Sequence, residues 1–73
     1  MDKNYSQAEK NYEQVVKMAP PYLDEALFNL ALVQEKQGKR KESIGNLKRA
    51  LQVNAKNEMA QRFLNKLEVS PKK

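Results

Sequence analysis

The sequence repeats its own pattern of apolar residues, and this repetition limits the possible fold more than any other feature. A shift of 34 positions places one set on another: Ala26, Leu30 and Val33 fall on Ala60, Leu64 and Leu67. A shift of 35 positions aligns a second pair of sets: Ala8, Tyr12, Val15, Val16 and Met18 fall on Ser43, Leu47, Ala50, Leu51 and Val53. Repeats of this length are units of supersecondary structure that bury their apolar faces by stacking on one another.

Each repeated set has helical spacing, with apolar residues separated by steps of three and four. Pro20-Pro21 ends the first segment because neither proline can donate an N–H and each disfavours a helical conformation in the residue before it. Gly38 and the stretch 54–57 separate the later segments, and Asn57 is a suitable N-cap for the last helix. The pattern predicts an all-α fold of four antiparallel helices, at about 4–18, 24–37, 40–53 and 57–68.

The composition excludes most kinds of chemical site. The 73 residues include 14 Lys and Arg and 9 Asp and Glu, for a net charge of +5, and they include neither Cys nor His. Disulfides, Cys/His zinc sites and nucleophiles activated by His are therefore excluded. We predict no catalytic residue, no cofactor and no bound metal.

Nothing in the sequence points to a membrane. The longest apolar run, from 30 to 33, is far shorter than a transmembrane helix, and no signal peptide is apparent. A cytoplasmic location is therefore the default expectation.

The spacing inside one repeat resembles that of the tetratricopeptide repeat family. The family pattern places W-x2-L-G-x2-Y, then A-x3-F, then P within 34 residues. The corresponding positions here are Leu27-x2-Leu30-Ala31-x2-Gln34, Ser43-x3-Leu47, Ala50 and Ala55. Gln34, Ser43 and Ala55 depart from the aromatic residue, Ala and Pro of the pattern. Gly38 lies at the family's turn, and Ala8-x3-Tyr12 with Pro20 resembles the second half of an earlier unit.

The resemblance implies a tetratricopeptide-like fragment of an α-solenoid, and a plain four-helix bundle is the alternative. One full repeat at 24–57 would be flanked by a half repeat at 1–23 and a capping helix at 58–69, with a tail at 70–73. Ala31 and Ser43 are small residues at the expected crossing of the two helices of the full repeat, where they would allow close approach.

The family usually holds a peptide or partner segment in a concave groove lined by the first helix of each unit. The resemblance therefore implies a non-catalytic protein–protein interaction module, with the groove lined by the second and fourth helices. Its predicted residues, which helical geometry directs inward, are Glu25, Phe28, Asn29, Leu32, Glu35, Met59, Arg62 and Lys66.

Two of these groove residues, Phe28 and Leu32, are not needed for contacts within the unit. We expect them to stay partly exposed, and packing against the fourth helix is the alternative. Asn29 also fits the carboxylate clamp that some members of the family carry. Met59 and Phe63 stand where that clamp needs basic residues, so we do not expect one here.

The two ends of the predicted array differ. Gln61, Asn65 and Glu68 lie on the face of the fourth helix that would receive a following helix, and they predict a solvent-facing cap. The first helix has no preceding partner, so its apolar stripe predicts a self-associating surface made of Tyr5, Tyr12, Val15 and Val16. The alternative function is therefore a structural oligomerisation domain, with a homodimer as its simplest form.

Basic residues cluster at Lys39-Arg40-Lys41 and Lys48-Arg49, which raises the question of nucleic acid binding. Such a module needs aromatic residues for stacking, and only Tyr22 lies near a loop. Glu42 also interrupts the cluster, so solvated side chains on an outer helix explain it better. We predict a protein or peptide partner, and neither nucleic acid nor a membrane.

Overall fold

Four α-helices follow one another in the computed structural model, which describes residues 4–69. They are α1 (Asn4–Lys17), α2 (Leu23–Lys36), α3 (Arg40–Val53) and α4 (Glu58–Val69). The predicted helix bounds are confirmed to within one residue at every end. Residues 1–3 of the predicted half repeat and the predicted tail at 70–73 lie outside the described residues.

Each helix packs against the next along the chain, which produces an antiparallel array. The array measures 38 × 32 × 15 Å. Its smallest dimension fits two layers of helices, since packed helices lie about 8–10 Å apart. The core lies where α2, α3 and α4 meet, and its buried members are Leu27, Ala31, Leu47, Ala50, Ala60, Leu64 and Leu67.

The most extensive contact between helices joins α2 to α3. Ala31 and Ser43 are both fully buried, as expected for small residues where two helices cross. The Ser43 hydroxyl donates a hydrogen bond of 2.8 Å to the Ala31 carbonyl oxygen, so its polar atom is satisfied inside the core. Leu27 and Leu47 are also fully buried and belong to the same core cluster as Ala31.

The turn between α2 and α3 depends on Gly38, whose φ is +83°. The Gly38 N–H donates to the Glu35 carbonyl at 3.0 Å, and the Lys39 N–H donates to the Gln34 carbonyl at 2.9 Å. This pair of bonds is the Schellman motif, which ends a helix with a left-handed residue. Any side chain at this position would be strained, because L-residues with a Cβ disfavour that conformation.

Gly45 differs from Gly38, because it is an exposed residue in the middle of α3. Apart from its chain neighbours and the α3 backbone, no heavy atom lies within 4 Å of the place where its Cβ would be. A methyl group would fit there without displacing anything.

The two glycines therefore give opposite predictions for replacement by alanine. Gly45→Ala should raise the free energy of unfolding by about 0.5–1 kcal/mol, because alanine favours a helix interior over glycine. Gly38→Ala should lower it by about 1–2 kcal/mol, because alanine is strained in the left-handed conformation. Urea unfolding followed by circular dichroism measures both changes. Destabilisation by Gly45→Ala would show that something packs closely against that face of α3.

Candidate functional site

An aromatic pair joins α2 to α4 on the surface where the groove is predicted. The rings of Phe28 and Phe63 meet edge to face, with their centroids 6.0 Å apart and their planes at 75°. Both side chains are partly buried and pack against the core. Phe28 is therefore partly exposed, as expected, and it also packs against α4, which was the alternative.

Two concavities adjoin this aromatic pair. The first has a volume of about 430 Å³ and is lined by Asp24, Glu25, Phe28, Asn29, Asn54, Asn57 and Met59. The second has a volume of about 230 Å³ and is lined by Phe28, Met59, Arg62, Phe63 and Lys66. Phe28 and Met59 belong to both, so they form the boundary that the two concavities share. Met59 is 63% exposed, which leaves its thioether available to a partner.

Six of the eight predicted groove residues line these two concavities. Glu25 and Asn29 line the first, Arg62 and Lys66 line the second, and Phe28 and Met59 line both. The other two are Leu32 and Glu35, which are half-buried, lie further along α2 and line neither concavity within the described part of the chain.

The two concavities carry opposite charge. Carboxylates line the first, and an exposed guanidinium and an exposed ammonium line the second. Among residues 4–69, none of Glu25, Arg62 and Lys66 forms an ion pair. These charges are therefore available to groups outside the fold.

Asp24 fixes the wall of the first concavity. Its buried carboxylate accepts hydrogen bonds from the side-chain amides of Asn54, at 3.1 Å, and Asn57, at 2.8 Å. The pKa of Asp24 lies below its ordinary value of 3.8, and the hydrogen bond from Asn54 is the largest cause. The Asn57 amide and the backbone N–H groups of Asp24 and Glu25 lower this pKa further, whereas burial acts to raise it. Asp24 thus ties the start of α2 to the loop between α3 and α4.

Asn57 also caps α4, as predicted. Its side-chain oxygen accepts the Ala60 N–H at 3.0 Å, the bond of an N-cap residue to the third residue of a helix. Acidic residues such as Asp24 and Glu25 suit the first turn of a helix, and their position in the sequence indicates no more than that. The cross-loop bonds of Asp24 could not be read from helical spacing.

Comparison with known families now identifies the repeat unit. Residues 24–57 match the family model described as tetratricopeptide repeat, and this segment contains α2, the turn at Gly38 and α3. The chain contains a tetratricopeptide repeat. No curated protein and no solved structure shows a significant match to the chain. Tetratricopeptide repeats generally bind proteins or peptides and are generally not enzymes.

A buried polar network ties α1 to this tetratricopeptide repeat. The Glu9 carboxylate accepts bonds from the Gln34 amide at 3.1 Å, the Gln37 amide at 2.7 Å and the Lys39 ammonium at 2.9 Å. Asn46 on α3 donates to the Gln34 side-chain oxygen at 2.7 Å, which brings a third helix into the network. All buried side-chain polar atoms of the described residues have a hydrogen-bond partner.

The pKa of Glu9 lies below its ordinary value of 4.5, and the hydrogen bond from the Lys39 ammonium is the largest cause. The amides of Gln34 and Gln37 lower this pKa further, whereas burial acts to raise it. Two sequence signals marked this network without revealing it. Gln34 replaces the aromatic residue of the family pattern, and Glu9 interrupts the apolar stripe of α1 where its repeat counterpart is Ile44.

The predicted self-associating residues all lie on α1 and are all half-buried. One of them, Val16, packs against the core. The most exposed large apolar side chains of the described residues lie elsewhere, near the helix ends, and they are Met18, Tyr22, Val53, Met59 and Val69.

Three side chains of the basic cluster contact other parts of the fold. Lys39 pairs with Glu9, and Lys48 lies 3.5 Å from the Glu68 carboxylate. The Arg40 guanidinium donates to the Leu67 carbonyl oxygen at the end of α4. These contacts give the cluster a role in joining helices.

The described residues offer neither a metal site nor a membrane span. Between residues 4 and 69, no three acidic side chains are grouped so that they could hold a metal ion. No helix in that range is sufficiently long and apolar to cross a membrane.

The two buried carboxylates predict a loss of stability in acid. Because the folded-state pKa values of Glu9 and Asp24 lie below their ordinary values, the unfolded chain binds more protons, and the free energy of unfolding decreases as the pH is lowered. This contribution is complete above about pH 5 and is lost progressively below about pH 4.5. Thermal unfolding between pH 7 and pH 3 measures the loss.

The variant Glu9→Gln should show a smaller fall between those pH values, because it removes one of the two titrating groups. Glu13→Gln is the matched control, because Glu13 is an exposed carboxylate one turn further along α1. If the thermal stability of the wild type and of Glu9→Gln fell equally between pH 7 and pH 3, Glu9 would not be one of the groups that cause the loss.

Proposed function

We propose that this chain is a protein-binding module that takes a segment of its partner in the groove between α2 and α4. The observation that carries the proposal is the apolar boundary of Phe28 and Met59, with unpaired charges on both sides of it. The general role of tetratricopeptide repeats as interaction modules supports it.

A large apolar side chain of the partner would supply most of the affinity. The Phe28 and Phe63 rings form a partly buried floor, and Met59 forms an exposed, adaptable wall beside them. Contact with these three side chains would remove apolar surface from water on both partners, which is the main favourable term in such association.

Arg62 and Lys66 would attract acidic residues next to that apolar anchor. Charges at the rim of an interface mainly set orientation and the rate of association. Two groove helices offer less than the roughly 1,600 Å² that a stable interface buries, so we expect micromolar or weaker binding.

A peptide with one central Trp flanked by Glu residues is a direct probe of this proposal. Phe28→Ala should weaken its binding by more than about 1 kcal/mol, because the floor for the anchor is lost. Met59→Ser tests the same contact at a more exposed position, where the fold is less at risk. Fluorescence anisotropy measures affinity, and circular dichroism confirms that each variant is folded.

Charge reversal at the rim separates the groove from the outer face. Arg62→Glu should slow association and flatten its salt dependence. Lys41→Glu is the matched control, because Lys41 is an exposed cation on α3. If binding ignored the changes at Phe28, Met59 and Arg62 but responded to Lys41→Glu, the binding surface would lie on the outer helices.

The second candidate function is self-association through α1. It is favoured by the packing of α1 chiefly on α2, which leaves one flank of its half-buried stripe of Tyr5, Tyr12, Val15 and Val16 uncovered by the described residues. Two copies could cover these flanks by meeting along a two-fold axis.

Sedimentation over a wide range of protein concentration tests this second candidate. We expect a dimer that dissociates on dilution and that Tyr12→Ser weakens. Tyr22→Ser is the control, because Tyr22 is 54% exposed and lies before α2, outside the stripe. A strictly monomeric wild type at high micromolar concentration would exclude the dimer.

A further inference from the structure

We infer that the first concavity is a subsite for a cationic side chain, an Arg or a Lys, of the segment bound in the groove. The groove would then select a segment with opposite charges on the two sides of its apolar anchor. This inference rests on the proposed function, because it concerns the same bound segment.

The charge of the first concavity is not balanced from within the fold. Asp24 is nine-tenths buried, and its side-chain partners, Asn54 and Asn57, are neutral amides. Glu25 adds an exposed carboxylate beside it, and no basic residue lines the concavity. Among residues 4–69, neither carboxylate forms an ion pair. A buried negative charge without a nearby cation favours a positive group at the adjacent surface.

The start of α2 does not make this place an anion site. Backbone N–H groups at a helix start attract anions when they are free. Here the N–H groups of Asp24 and Glu25 already act on the Asp24 carboxylate and help to lower its pKa. An incoming anion would also meet the carboxylates of Asp24 and Glu25, which repel it.

The uncharged residues of the concavity also suit a long cationic side chain. Its apolar stem would pack on Met59, while its charged head could lie over the Phe28 ring, where cations are attracted to the aromatic face. The Asn29 side-chain oxygen and the Glu25 carboxylate are acceptors for its N–H groups. Guanidinium fits this combination of ring, carboxylate and amide better than ammonium does.

The order of charges in the partner follows from the boundary that the two concavities share. With the apolar anchor on Phe28 and Met59, its cation would lie towards the start of α2 and its acidic group towards Arg62 and Lys66. Those two residues lie about one and two turns along α4 from Met59, or roughly 5 and 10 Å. An extended segment advances about 3.3 Å per residue, so the charges should lie within two or three residues of the anchor.

Four synthetic peptides of equal length, each with one central Trp, test the inference. The mixed peptide has Arg on one side and Glu on the other and is made in both chain directions; the acidic peptide has Glu on both sides, and the basic peptide has Arg on both sides. Titrations followed by amide chemical shifts detect even weak binding. The net charge of +5 alone would favour the acidic peptide. We expect one direction of the mixed peptide to bind at least about threefold more tightly than either the acidic or the basic peptide.

Reversal of the charge at Glu25 should exchange this preference. Glu25→Lys should make the acidic peptide bind more tightly than the mixed one. Glu58→Lys is the matched control, because it adds the same net charge at an exposed position in the first turn of α4 and outside both concavities. This control should leave the wild-type order unchanged.

The outcomes separate this inference from the proposed function. If the acidic peptide bound as tightly as the mixed peptide, or if Glu25→Lys left the order unchanged, the cationic subsite would be wrong and the groove would stand. If no peptide shifted the amide signals of α2 and α4, or if Met59→Ser bound every peptide as the wild type does, the groove itself would be wrong.

Discussion

The rest of the fold depends on the contact between Ala31 and Ser43. Because both residues are small and fully buried, α2 and α3 approach closely enough for the Ser43 hydroxyl to reach the Ala31 backbone. That approach buries Leu27 and Leu47 completely and creates the apolar surface on which α4 packs. A larger side chain at either position would push the helices apart and open the core on both sides. The other two helices pack on this pair, α1 against α2 and α4 against α3.

Two buried carboxylates then hold α2 at its two ends. At the start of the helix, Asp24 binds the loop between α3 and α4. At its end, Glu9 of α1 binds Gln37 and Lys39, on either side of the turn at Gly38. Each carboxylate is satisfied by several donors, so the cost of its burial is offset. The first helix of the tetratricopeptide repeat is thereby joined to α1 and to the loop that follows α3.

Apolar periodicity is sufficient to predict the helices, because burial of one face is what determines them. The family resemblance, together with helical geometry, placed Phe28 and Met59 on the predicted groove, and both line the concavities there. Apolar periodicity could not predict the role of Glu9 or Asp24. The partners of these residues lie 25 to 33 positions away, and nothing in a local pattern distinguishes a buried, bonded carboxylate from a solvated one. Two polar residues were the only sign of the network in the sequence. Glu9 stands where the repeat counterpart is apolar, and Gln34 stands where the family pattern has an aromatic residue.

The acid-labile contact of Asp24 with Asn54 and Asn57 also lines the first concavity of the proposed binding surface, and Asn57 links it to α4. Its amide N–H binds Asp24, while its amide oxygen caps α4 one turn before Arg62. Protonation of Asp24 would therefore loosen the start of α4, and with it the position of Met59 in both concavities. Asp24 has its hydrogen bonds committed to holding this geometry, whereas Glu25, the next residue, is exposed and free to contact a partner. Two adjacent carboxylates of the same concavity thus take different roles, because one is buried and hydrogen-bonded within the fold and the other is exposed.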